Sequence, residues 1–138
     1  MGNFGQYVDI RIEDGLKYDI RIEDAHLDCG QFYRQGDQTD ILTSDDVDDM
    51  MIRHNGGIRD VCSCGEPGDM SGTQGTLDLY DDVKDDRICT LSWSAPMQSG
   101  RQNMFIMRNR NPKYAVDIGD WSKTGTMGTV SVAVKDQS

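Results

Sequence analysis

The chain has 138 residues and a formal net charge of −10, from 24 acidic and 14 basic side chains. That length suits one domain, spanning 1–138, with one core. The charge argues against nucleic acid, where cationic side chains must displace counterions, and against general attraction to anionic lipid surfaces.

Only 36% of residues are hydrophobic and 15 are glycine, which favours many short strands over long helices. No apolar run of about 18 residues occurs, so no helix is expected to span a membrane. The opening Met1-Gly2-Asn3-Phe4-Gly5-Gln6 has no basic or apolar leader region. Gln6 also stands where myristoylation wants Ser or Thr.

Tyr7 to Glu13 alternates, with Val8, Ile10 and Ile12 on one face and Asp9, Arg11 and Glu13 on the other. Asp14-Gly15 then reads as a hairpin turn. Tyr18 to Asp24 repeats the pattern with Ile20 and Ile22, and the hexapeptide Asp-Ile-Arg-Ile-Glu-Asp occurs at both 9–14 and 19–24. The expectation is two antiparallel neighbours whose charged outer faces pair across one sheet. His26 to Tyr33 is a third strand, with Gly30 marking a bulge or a close backbone approach.

Gly36 to Asp49 carries Asp37, Asp40, Asp45, Asp46, Asp48 and Asp49. It reads as a solvated loop in which Ser44 caps one helical turn. The spacing does not fit a calcium-binding EF-hand loop. Met50 to Arg53 is a short strand closed by Asn55-Gly56-Gly57, and Ile58 to Cys64 is the next. A glycine-rich loop holding Gly65, Pro67, Gly68, Gly72 and Gly75 follows, then a strand over Thr76 to Tyr80 with Leu77 and Leu79 on one face. Further strands are expected over Arg87 to Trp93, Gln102 to Arg108, Lys113 to Gly119 and Met127 to Val134, with a loop over Ser94 to Arg101. This is an all-β pattern, a single antiparallel β-sandwich.

Of the cysteines Cys29, Cys62, Cys64 and Cys89, the pair Cys62 and Cys64 shares one face of its strand. Such a pair admits a metal site, a strained disulfide, or two small apolar side chains facing the core. Zinc takes about four ligands, and His26 and His54 have no suitable spacing to the pair, so core packing is preferred and no metal or other cofactor is expected. The same histidines lie in no nucleophile motif, and Gly-x-Ser-x-Gly and phosphate-loop patterns are absent. An enzyme is therefore not expected. Tyr7, Trp93, Met97, Phe105 and Trp121 read either as core or as a patch for a lipid interface, where an apolar ring with a polar tip is at home. Arg101, Arg108, Arg110 and Lys113 form an acid-free basic segment, either a solvated face or a grip for a phosphate or acidic partner.

Several segments, in order, resemble the aegerolysins. They are Gly5-Gln6-Tyr7-Val8, Cys29-Gly30-Gln31-Phe32-Tyr33, Gly36-Asp37-Gln38-Thr39-Asp40, Val61-Cys62-Ser63-Cys64-Gly65, Gly72 to Asp81, Trp93-Ser94-Ala95-Pro96-Met97 and Gly125 to Val132. The resemblance implies an aegerolysin-type, actinoporin-like β-sandwich that binds a membrane lipid, such as a sphingolipid or sterol. It also implies a perforin-like partner that completes a cytolytic pore, as in insecticidal two-component toxins, and allows several copies to assemble on the membrane. A cytoplasmic location in the producer, with release to act at target membranes, follows from the same resemblance. By position, the head-group residues are Tyr7, Cys29, Ser71, Ser92, Met97 and Arg101, with Trp93 beside them. Only Tyr7 and Arg101 keep the chemical type found in sphingolipid-binding members, so the scaffold carries over more fully than the lipid. The alternative is a β-sandwich that binds a protein or glycan without acting on membranes.

Overall fold

The structure, a computed structural model, describes residues 6–98 and 100–137. Met1 to Gly5, considered above for leader and acylation signals, lie outside the described residues. The strands are β1 (Tyr7–Asp14), β2 (Ile20–Cys29), β3 (Gln31–Arg34), β4 (Asp37–Leu42), β5 (Met51–Ile52), β6 (Gly57–Cys64), β7 (Thr73–Asp81), β8 (Asp86–Ala95), β9 (Met104–Arg108), β10 (Tyr114–Ile118) and β11 (Gly128–Asp136). One helical turn, α1 (Ser44–Asp48), lies between β4 and β5. A six-stranded sheet in the order β10-β11-β1-β6-β3-β4 faces a five-stranded sheet in the order β5-β2-β7-β8-β9.

The expected sandwich is present, with one departure from the antiparallel rule. β1 pairs with β11 in parallel, from Val8 opposite Gly128 to Asp14 opposite Val134. The main core takes Val8, Ile10, Ile12, Val61, Val130, Val132 and Val134 from one sheet and Ile20, Ile22, Leu77, Leu79, Cys89 and Leu91 from the other. Fully burying one such side chain contributes about 1.5–3 kcal/mol.

The expected hairpin at Asp14-Gly15 does not form. β1 and β2 lie in different sheets, and the segment between them is a corner. Leu16 turns into the core there. Asp14 Oδ1 accepts the Leu16 N–H at 2.8 Å, and the Gly15 N–H reaches Val134 O at 2.7 Å. The twin hexapeptides therefore meet across the core, with Ile10, Ile12, Ile20 and Ile22 all at 0% exposure. Their charges find other partners. Arg11 lies 3.4 Å from Asp60 on β6, while Arg21 binds Glu23, Asp82 and Asp85 and stacks over Tyr80.

The expected strand at His26–Tyr33 is two strands. His26–Cys29 continues β2 past a bulge at Asp24 (φ 54), while β3 belongs to the opposite sheet. The break is Gly30, at φ +93, where an added Cβ would stand 2.6 Å from Cys64 O. Gly36–Asp49 is likewise more ordered than a loop, because it contains β4. Its helical turn is capped by Thr43 rather than Ser44. Thr43 Oγ1 accepts the Asp46 N–H at 3.1 Å, and Asp46 Oδ2 accepts the Thr43 N–H at 2.8 Å. That reciprocal box fixes the register that buries Val47.

Cys62 and Cys64 do not face the main core. Val61 occupies the inward position, so the thiols turn to the outer side of the six-stranded sheet, opposite Asp9 and Tyr7. They remain buried in a separate small cluster with Tyr33, flanked by Tyr7. The four cysteines are free thiols.

Candidate functional site

The ends of β2, β6 and β8 and the starts of β1, β7, β9 and β11 gather at one end of the sandwich. The registers Tyr7 opposite Cys64, Cys29 opposite Gln74, Thr73 opposite Ala95, Ser94 opposite Met104 and Val8 opposite Gly128 place them there. Three loops emerge from that end, at 65–72, 96–103 and 119–127.

Gln6 and Asn103, each 3% exposed, hold these loops. Gln6 Nε2 donates to Pro96 O at 2.9 Å, Gly125 O at 2.9 Å and Asn103 Oδ1 at 3.2 Å. Gln6 Oε1 accepts the N–H groups of Tyr7 at 3.2 Å and Met127 at 2.8 Å. Asn103 Nδ2 donates to Ser122 O and Gly125 O. Amide side chains suit this position because one group both donates and accepts.

Above this network is a cavity of about 520 Å³, bordered by Met97, Gln98, Arg101, Gln102 and Thr124. A second cavity of about 460 Å³ shares Gln98, Arg101 and Gln102 and adds Cys29, Ser71, Thr73 and Met104. A third, of about 420 Å³, shares Asp28, Gln74, Ser94 and Met104 with the second and runs along β8 and β9 past Ser92 and Ile106 to Arg108. Arg101 thus stands between the first two cavities, and it has no ion pair among the described residues. Cys29 Sγ lies 3.9 Å from Ser71 O. Burial, then the charges of Asp69 and Asp28, push its thiol above the ordinary cysteine range, so at neutral pH it is a neutral wall and not a nucleophile.

Of the sequence-predicted residues, Ser71, Met97, Arg101 and Cys29 come together here, and Ser92 and the edge of Trp93 join through the third cavity. Tyr7 does not line the cavities; it packs beside Cys62 and Cys64 next to Gln6. Trp93 is a core residue. It is 2% exposed, meets Phe32 edge-on at 6.2 Å and donates to Thr73 Oγ1 at 3.1 Å. Phe105 is buried too, and Trp121 is a clamp between Phe105, Asn103 O and Lys123. The exposed apolar groups near the site are instead Met70 (66%) and Met104 (50%). The sequence reading missed these two methionines and the Gln6–Asn103 network. A methionine in a glycine-rich loop and another opening a strand have no period to reveal them.

The loop bearing Met70 and Ser71 depends on Gly72. Its φ is +80, and an added Cβ would stand 2.2 Å from Ala95 O. Gly72→Ala is expected to cost about 2 kcal/mol or more of stability, from left-handed strain plus the clash. Equilibrium unfolding in urea measures it, and an unchanged midpoint would contradict the packing described.

A two-sheet sandwich with a polar, arginine-bearing site among its end loops defines a binding module. Residues 5–137 match the aegerolysin family, and the chain belongs to it. It is 35% identical over 133 residues to Asp-hemolysin of Aspergillus fumigatus, covering 95% of this chain and 93% of that one. It is 32% identical over 131 residues to terrelysin of Aspergillus terreus, covering 94% and 87%. The crystal structure of RahU protein in complex with a TRIS molecule superposes with a TM-score of 0.89 at 25% identity, over 99% of this chain and 98% of that one.

Proposed function

We propose that this protein is the membrane-lipid-binding component of a two-component, pore-forming cytolytic toxin and acts by binding rather than by catalysis. The observation that carries the reading is the position of Arg101. It is a guanidinium without an ion pair among the described residues, set between two cavities and flanked on the same end by exposed Met70 and Met104. A guanidinium grips a phosphate bidentately, while methionine adapts to an irregular apolar surface. The phosphate of a lipid head group would sit against Arg101, with hydroxyl and amide groups of Ser71, Gln98 and Gln102 around it. Family membership and the hemolysin-named relative support cytolysis. Among the described residues no helix is long and apolar enough to cross a membrane; recruitment of a perforin-like partner to open the bilayer rests on family membership.

Flotation with vesicles of phosphatidylcholine, sphingomyelin, ceramide phosphoethanolamine and sterol mixtures tests this. Arg101→Ala is expected to weaken binding about tenfold or more, the value of one charge-assisted contact. Unchanged binding would move the anchor elsewhere, and dye release by the protein alone would remove the need for a partner. The hydroxyl-and-amide floor of the third cavity (Gln74, Thr76, Ser92, Ser94) favours a second reading, glycan recognition without membrane action. A glycan array run beside the vesicle panel separates the two.

A further inference from the structure

Among the described residues each sheet has a free edge with an ordered pattern. β9 ends the five-stranded sheet and β4 ends the six-stranded sheet. β9, Met-Phe-Ile-Met-Arg, is apolar at its start and cationic at its end. β4, Asp-Gln-Thr-Asp-Ile-Leu, is anionic at its start and apolar at its end. Met104 is 50% exposed and Ile41 is 49% exposed. Arg108 and Asp37 are both exposed, and neither has an ion pair among the described residues.

The surroundings carry the same complementarity. From Arg87 to Val116 the chain has no acidic residue, and it holds Arg101, Arg108, Arg110 and Lys113. From Gln35 to Asp49 it has no basic residue, and it holds Asp37, Asp40, Asp45, Asp46, Asp48 and Asp49. An exposed strand edge with apolar side chains is a template for another strand unless something blunts it.

We propose that the β9 edge of one copy pairs antiparallel with the β4 edge of the next. Antiparallel alignment satisfies both ends at once, bringing Arg108 beside Asp37 and Met104 beside Ile41. Asp37 already holds the Thr39 N–H at 3.0 Å, so the ladder runs through the groups flanking Thr39. The two edges belong to different sheets, so the contact is heterologous. It propagates into a ring or an open row rather than a closed two-fold dimer. A strand added beside β9 would also raise a new wall along the third cavity, which coupling to ligand binding would report.

The net charge of −10 opposes association at very low salt. At physiological ionic strength the Debye length is about 8 Å, which screens the far charges and leaves a contacting pair intact. Sedimentation velocity of the whole protein at about 0.15 M salt is the test. Wild type is expected to show species heavier than the monomer that grow with concentration. Arg108→Glu and Asp37→Lys are each expected to weaken association about tenfold or more, as like charges meet. An equimolar mixture of the two variants is expected to restore it, since the carboxylate introduced on β9 of one then faces the ammonium introduced on β4 of the other. Asp37→Asn, which keeps the Thr39 contact and removes only the charge, guards against a damaged hairpin and is expected to fall between. A wild type that stays monomeric at all concentrations, or a mixture that does not restore association, overturns the proposal.

Discussion

Gln6→Ala is expected to lower the unfolding free energy by about 3 kcal/mol or more and to weaken membrane binding at the same time. Truncation deletes one amide and strands two buried partners, Asn103 Oδ1 and the Met127 N–H, while Pro96 O and Gly125 O each lose a donor at the half-buried rim. Each buried group left unsatisfied costs about 1–3 kcal/mol. The loops it joins are those bordering the Arg101 cavity, so the binding geometry loosens along with the fold. Asn103→Ala is expected to be comparable. The double variant should cost clearly less than the sum, because both residues serve one network. Denaturant melts of the three variants, paired with vesicle flotation, check this. A loss below about 1 kcal/mol for Gln6→Ala would show that water replaces the amide without penalty.

The second large effect concerns pH. Asp14 is fully buried, and burial pushes its carboxyl up to about 7. Asp9 also rises to about 7, first through burial and then through the hydrogen bond and charge of Asp60. Both have a buried oxygen without a hydrogen-bond partner, Asp9 Oδ1 and Asp14 Oδ2. A carboxyl that titrates higher in the folded state than in the unfolded one, near about 4, takes up a proton on folding throughout that window. Stability therefore falls as pH rises from about 4 to about 7 and is lowest above it. At the acid end Asp19, Asp37 and Asp46 are held below the usual range by bonds from His54, Thr39 and Thr43. Their contribution is present above the unfolded value and is lost as pH drops below it. The optimum is thus expected near about pH 4, with a melting temperature about 5 °C or more above that at about pH 8. Asp14→Asn keeps an acceptor for the Leu16 N–H and removes the charge, so it should flatten this dependence. A melting temperature that is flat or rising between about pH 5 and about pH 8 would contradict the assignment.

The faces of the strands were legible in the sequence, because a period of two needs only local information. Val8, Ile10, Leu77, Leu91 and Val132 all point where their alternation requires. Strand partners were not legible in the same way. The repeated hexapeptide carries identical alternation whether its copies are neighbours in one sheet or opposed across the core, so its period alone does not decide between them. Cys62 and Cys64 show the same limit from another side. Their shared face was right, but which side of the sheet it meets depends on Val61 winning the inward position. At the site, Ser71, Met97 and Arg101 were found through family resemblance. Gln6 and Asn103, 97 positions apart, become one network only when β1 and β9 start at the same end of the sandwich.

The parallel neighbour of β1 has a consequence for how the protein comes to be folded. β11 is the last described strand to be synthesised, yet it completes the side of β1 opposite β6. The six-stranded sheet cannot close until Gly128–Asp136 has been made. Pairing Val8 with Gly128 demands closure of a loop nearly as long as the whole molecule, which makes the transition state entropically costly and folding slow for this size. Until then the inward row of Val8, Ile10 and Ile12 has one bare flank. The nascent protein therefore passes through an obligatory interval in which it depends on dilution or chaperones to avoid pairing with another chain.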